Sequence, residues 1–238
     1  MARLLDDASS QYLLSNTTLG LSDWPLSVFV RFKLDDTSFN HCLFSLASSA
    51  SNSGYHYIVA TDDPDRQIIM TSLDPIASGT WTPNVWGSAL GVWASNTSRI
   101  LYRDGANKVT SGATSRAFGS QNRVGLGVIA RISKTFYTSG AIAQYAAWAA
   151  VLGDDEAAAL HEGWHPRLIK PTSLVACWDL GGFAGQNDRD YFGQYDLTAY
   201  NNPTWADHPP VLYPCGPHVP AAPSTTRVPW HLFGGAAA

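Results

Sequence analysis

The sequence predicts an all-β domain, a sandwich of two antiparallel sheets with one short helix and an extended C-terminal arm. Three observations support this. Only 14% of the 238 residues are charged, and the chain has just two glutamates, so good helix formers are scarce. Short runs of alternating apolar and polar residues recur along the chain. Turn residues separate these runs about every ten residues, as in sandwiches.

The predicted strands follow one another from residue 26 onwards. A run of apolar and polar residues at 26–34 alternates as a half-buried strand does. Asp104-Gly105 is the strongest short hairpin signal in the chain. The other predicted strands are 42–46, 55–60, 67–71, 87–93, 99–103, 109–111, 122–127, 140–148, 174–180 and 197–200.

One helix is predicted between Gly153 and Gly163. Its first turn carries Asp154, Asp155 and Glu156, which favour the positive end of the helix dipole. Alanines follow, and Gly163 provides the end. A helix this short is marginal alone, so we expect it to pack against a sheet.

The composition changes near residue 208. Seven of the fourteen prolines lie in 209–238, and proline has no N–H for a central strand. We therefore divide the chain into a sandwich at 1–207 and an arm at 208–238. The arm's apolar residues predict docking on a neighbouring subunit, with packing on its own domain as the alternative. The predicted docking residues are Pro209, Pro210, Val211, Trp230, Leu232 and Phe233.

Charge and hydropathy exclude several classes of protein. The net charge is −4 with no basic run, which argues against nucleic acid as a partner. The sequence contains no run of eighteen apolar residues, so we expect no membrane span. Acidic residues directly follow Met1-Ala2-Arg3-Leu4-Leu5, so we expect no signal peptide and synthesis in the cytoplasm. The three cysteines show no metal-binding spacing, and two of them, Cys42 and Cys177, lie in apolar runs.

Five segments in order resemble the laminin-G-like branch of the concanavalin-A-like jelly rolls, over roughly 8–207. They are 10–13 with 26–30 as an opening strand pair, the hairpin 98–105, the strand 140–148, the helix start 151–156, and 176–180 as a strand returning to the N-terminus. The resemblance implies a jelly roll, a fold that hosts lectins, glycanases, adhesion modules and structural proteins. The ending at 207–211 is similar to endings that follow such domains in phage virion proteins.

Enzymatic activity is not expected. The glycanases of this fold use two glutamates around an aspartate on a strand, whereas Glu156 and Glu162 lie on the predicted helix. No cofactor is predicted. Asp62, Asp63 and Asp65 are weak candidates for calcium, and a solvated turn is the simpler interpretation of this cluster.

The nine tryptophans carry the remaining signal. Trp93, Trp148 and Trp178 lie in strands and are expected in the core. Trp81 and then Trp86 are the predicted ligand platforms, since sugars bind exposed aromatic rings. The leading hypothesis is a non-enzymatic virion protein, a phage capsid decoration or fibre-type protein that is homo-oligomeric and bound to other virion subunits. The alternative is a carbohydrate-binding lectin or adhesion module that binds surface glycans.

Overall fold

The fold is a sandwich of two antiparallel sheets with one α-helix, which confirms the predicted class. The computed structural model describes residues 1–20, 23–62, 64–118, 121–181 and 188–212. Its strands are β1 (Ala2–Leu5), β2 (Tyr12–Ser15), β3 (Leu26–Leu34), β4 (His41–Ala47), β5 (His56–Ala60), β6 (Gln67–Thr71), β7 (Ile76–Thr80), β8 (Gly87–Ser95), β9 (Ser98–Arg103), β10 (Asn107–Ser111), β11 (Arg123–Leu126), β12 (Gly140–Trp148), β13 (Leu174–Trp178), β14 (Thr198–Tyr200) and β15 (Thr204–Ala206).

Each sheet mixes early and late parts of the chain. The first sheet has the order β10-β9-β8-β3-β12-β1-β15, and β13 pairs with β12 as well. The second sheet has the order β14-β2-β11-β4-β5-β6-β7. Both N-terminal strands therefore pair with strands from the C-terminal part, β1 with β15 and β2 with β14.

Two features of the predicted strand pairing are wrong. The segments expected to form an opening pair became β2 and β3, which lie in different sheets. The strand expected to return to the N-terminus, β13, pairs instead with β12. The N-terminal strands find partners in β14, which lies within the predicted strand 197–200, and in β15, which was not predicted.

Large aromatic side chains fill the space between the sheets. Tyr145 and Trp178 stack at 4.6 Å between ring centroids, and Phe44 contacts both Tyr145 and Trp93. Trp93, Trp148 and Trp178 are fully buried, as predicted. Cys42 and Cys177 are free and buried, also as predicted.

The helix α1 (Asp154–Glu162) has the predicted ends. The backbone N–H of Gly153 donates to the Glu156 carboxylate over 2.7 Å, and Gly163 ends the helix with a φ of 110°. Ala157 and Leu160 pack on the outer face of the first sheet, against a cluster that includes Phe29. None of the described helices is long and apolar enough to cross a membrane.

The arm begins on its own domain. Pro209 is buried, and the Arg31 guanidinium donates to the Pro210 carbonyl over 3.2 Å. The Leu212 N–H donates to the Gly163 carbonyl over 2.7 Å. The first part of the arm thus packs on its own domain, with Pro210 exposed, and docking of Pro209, Pro210 and Val211 on a neighbouring subunit stays a prediction. Three predicted docking residues, Trp230, Leu232 and Phe233, lie outside the described residues.

Candidate functional site

A cleft of about 660 Å³ opens at one end of the sandwich. The antiparallel register places the starts of β2 and β4 and the ends of β5 and β11 at this same end. The loops that leave these strand ends surround the cleft. Its lining residues are Asp7, Ala8, Asp36, Phe39, Asn40, Asp62, Phe136 and Tyr137.

Three aromatic side chains form the apolar part of the cleft. Phe39 is 60% exposed and Phe136 is 39% exposed, which is high for phenylalanine. The Cys42 N–H donates to the Phe136 carbonyl over 3.0 Å, so Phe136 is anchored to β4 by its backbone. The Tyr137 ring lies 6.0 Å from the ring of Tyr12. Rings held in this way can present a fixed apolar surface to a ligand.

Three carboxylates and one amide form the polar part. The Asp36 carboxylate accepts the Ser38 N–H over 2.8 Å, and this hydrogen bond lowers the pKa of Asp36. The Asp62 carbonyl accepts the Arg66 N–H over 2.9 Å, which closes the turn after β5. Among the described residues that line the cleft there is no lysine, arginine or histidine. The cleft is therefore acidic, with oxygen acceptors beside aromatic rings.

The segment between β11 and β12, residues 127–138, forms one wall and is called the crossover below. Its two ends are joined by the Thr138 N–H, which donates to the Gly127 carbonyl over 3.1 Å. The Ser45 hydroxyl fastens it to β4, donating to the Val128 carbonyl over 2.8 Å and accepting the Ala130 N–H over 3.1 Å. The crossover thus lies flat on the outer face of the second sheet.

Apolar contacts complete this attachment. Ile129 packs against Cys42 and Val59, on the outer face of β4 and β5. Val128 and Ala130 belong to a second buried cluster with side chains of β2 and β4. These contacts position Phe136 and Tyr137, at the C-terminal end of the crossover, in the cleft.

The predicted platform Trp81 lies elsewhere. It is only 4% exposed, and its indole N–H donates to the Thr61 carbonyl over 2.9 Å, so the ring belongs to the core. This burial corrects the prediction of an exposed ring. Trp86 is half-buried under the Lys33 ammonium, at 5.5 Å from its ring centroid. Both tryptophans border a cavity of about 40 Å³, which is close to the space of a single water.

The weak calcium candidates are divided. Asp62 lines the cleft, Asp65 is exposed on the adjoining turn, and Asp63 lies outside the described residues. Calcium binding stays a prediction. The lining residues Phe39, Asn40 and Phe136 were not predicted, because no local pattern distinguishes them from ordinary loop residues.

A second cluster brings His165, Cys177 and Asp179 together, with candidate ligand atoms within 4.8 Å of one another. His165 Nδ1 accepts the Arg167 N–H over 3.2 Å, so the ring proton is on Nε2, which lies 2.7 Å from the Asp179 carboxylate. This hydrogen bond lowers the pKa of Asp179, while burial raises the pKa of the Cys177 thiol. A metal at Nε2 would displace this proton and break the hydrogen bond to Asp179. The hydrogen bonds of His165 fix the turn at 166–168.

Comparisons with known proteins give structural neighbours only. No protein-family model and no curated protein matches the sequence. A candidate carbohydrate-binding protein from Bacteroides ovatus shares the fold with a TM-score of 0.64 at 12% identity, over 86% of this chain and 61% of that chain. This chain thus spans less than two thirds of that neighbour.

Two sialidase structures are also similar. The CBM40 domain of the Ruminococcus gnavus IT-sialidase, bound to α2,3-sialyllactose, gives a TM-score of 0.55 at 12% identity, over 68% of this chain and 97% of that chain. The NanB sialidase of Streptococcus pneumoniae gives 0.53 at 16% identity, over 66% and 27%. At such identities the common property is the fold. The likeness confirms the predicted jelly-roll sandwich.

Proposed function

We propose that this domain binds carbohydrate in the cleft, the alternative that the sequence left open. The observation that carries the proposal is the side-by-side placement of exposed Phe39 and Phe136 with carboxylates in one cleft. Its volume, about 660 Å³, lies within the range of roughly 300–1,000 Å³ that is usual for small-ligand sites.

The two kinds of lining residue match the two kinds of surface on a sugar. A pyranose ring has an apolar face of C–H groups, which packs on an aromatic ring such as that of Phe39. Its hydroxyl groups donate hydrogen bonds, and the carboxylates of Asp7, Asp36 and Asp62 are strong acceptors. The Asn40 side chain can both donate and accept.

The neighbours support this proposal. One is described as a candidate carbohydrate-binding protein, and another is a carbohydrate-binding module in complex with a glycan. The virion role, with its subunit partners and oligomeric state, stays a prediction that no observation on the described residues favours. The expectation that the chain is not an enzyme also stays a prediction.

The test compares matched phenylalanine variants. Phe39→Ala and Phe136→Ala remove cleft rings, while Phe192→Ala removes a ring that is 43% exposed in a separate groove. Binding is measured by affinity electrophoresis in laminarin, xylan, mannan and dextran, and on a printed array of oligosaccharides. We expect the cleft variants to bind about tenfold more weakly, since a stacked ring contributes roughly 1 kcal/mol or more.

Phe192→Ala should bind like the unmodified protein. Two results would contradict the proposal: no retention by any polysaccharide or array glycan, or equal weakening by all three substitutions. Circular dichroism of each variant checks that the sandwich is intact.

A further inference from the structure

The crossover covers the outer face of the second sheet beside the cleft. Val128, Ile129 and Ala130 are fully buried beneath the surface of the crossover. Hydrogen bonds tie the crossover to β4: two through the Ser45 hydroxyl, one from the Thr138 hydroxyl to the Cys42 carbonyl over 2.8 Å, and one from the Cys42 N–H to the Phe136 carbonyl over 3.0 Å. A sugar chain could lie on this part of the sheet only if these bonds broke.

Beyond the crossover, the outer face carries an aromatic pair: Tyr57 packs on the cluster of Ile129 and stacks on Tyr55 at 5.3 Å between ring centroids, and both tyrosines are half-buried. The strands β6 and β7 add Ile69, half-buried, and the exposed side chain of Ala77, neither of which is aromatic or a hydrogen-bonding group. The exposed phenylalanines and the carboxylates described above lie at the end of the sandwich.

The remaining walls come from two loops that join the sheets and from one turn within the second sheet. Asp7 and Ala8 belong to the β1–β2 loop, and residues 36–40 belong to the β3–β4 loop. Asp62 adds the β5–β6 turn. With the crossover, four segments therefore line the cleft.

We infer that the cleft recognises the end of a glycan chain, or a short oligosaccharide, and not the interior of a long polysaccharide. This inference rests on the proposed function. A chain interior needs two exits from its binding site, and the crossover closes the exit across the second sheet. A chain end needs one exit, which the open side of the cleft provides.

The experiment varies the number of chain ends at constant mass of sugar. Laminarin, xylan, mannan and dextran are each used intact and after partial acid hydrolysis to a tenth of the mean length. Each preparation competes for the protein against an immobilised oligosaccharide from the array. If chain ends are bound, potency per unit mass rises with the number of ends, about tenfold for these fragments.

The outcomes separate the two ideas. A tenfold gain that is lost in Phe39→Ala supports recognition of chain ends in the cleft. Potency per unit mass that is unchanged or lower after hydrolysis, with binding still lost in Phe39→Ala, overturns the inference while the proposed function stands. Absence of binding by every preparation overturns the proposed function itself.

Discussion

The buried imidazole of His56 makes the stability of this fold depend on pH. The ring is fully buried between the sheets, 4.5 Å from the ring centroid of Phe118 and 5.7 Å from that of Trp93. Neither nitrogen makes a hydrogen bond of normal geometry with the described residues. Burial lowers the pKa of His56 from 6.5 to about 3; the Ala117 backbone opposes this shift, and the charges of Arg116 and Arg99 add to it.

The size of the effect follows from proton linkage. Between pH 6.5 and 3 the unfolded chain binds a proton at His56 and the folded chain does not, so lowering the pH favours unfolding. The stabilising contribution is therefore complete above pH 6.5 and decreases as the pH falls towards 3. From pH 7 to pH 5 the expected loss is about 2 kcal/mol of unfolding free energy.

The assay is urea denaturation at pH 7 and at pH 5. His56→Phe keeps an aromatic ring and removes the titrating group, so its loss of stability between the two pH values should be about 2 kcal/mol smaller than that of the unmodified protein. His161→Gln is the control, because His161 lies at the surface end of α1 beside Ser88. Equal pH dependence in His56→Phe and the unmodified protein would refute the reasoning.

Two further predictions concern a turn and the charge of the cleft. Gly105 has a φ of 72°, and a Cβ there would lie 2.8 Å from the Cβ of His161, so Gly105→Ala should cost about 2 kcal/mol in urea denaturation. Gly112→Ala, where a Cβ has space, should change stability by less than about 0.5 kcal/mol, and equal effects would contradict this account. In calorimetric titration, oligosaccharides ending in a uronic acid should bind about tenfold more weakly than their neutral analogues, because the charged groups among the described lining residues are all carboxylates. The double variant Asp7→Asn/Asp62→Asn should reduce this difference in affinity. Tighter binding of the acidic oligosaccharides by the unmodified protein would contradict the prediction.

The elements that sequence predicted well are those with a local physical cause. The hairpin at Asp104-Gly105 forms because both residues adopt positive φ, at 51° and 72°, which suits Asp and Gly. The helix α1 begins where acidic side chains meet its dipole and ends where Gly163 adopts positive φ. In both places a few adjacent residues are enough to determine the conformation.

The elements that sequence missed are short strands whose pairing partners are distant. The strand β7 contains Ala77, Ser78 and Gly79, which have low strand propensity, and it forms because β6 provides a partner at the edge of the second sheet. The same reasoning applies to β1 and β15, which pair with each other across some two hundred residues of sequence. Pairing with strands that are distant in sequence determines where these strands form, and it leaves no local sequence pattern.

The cleft could not be predicted because residue type does not determine exposure. A tryptophan is the better sugar platform in isolation, yet Trp81 is buried because the Thr61 carbonyl accepts its indole N–H inside the core. Phe39 follows a turn that the Asp36 carboxylate closes with Ser38, and that turn directs the chain outwards just before β4. The Phe39 ring, 60% exposed, gives up more than half of the roughly 1.5–3 kcal/mol that full burial would provide. A second ring, Phe136, adds a smaller cost in the same cleft because it is 39% exposed, and a bound ligand with an apolar face would bury both rings.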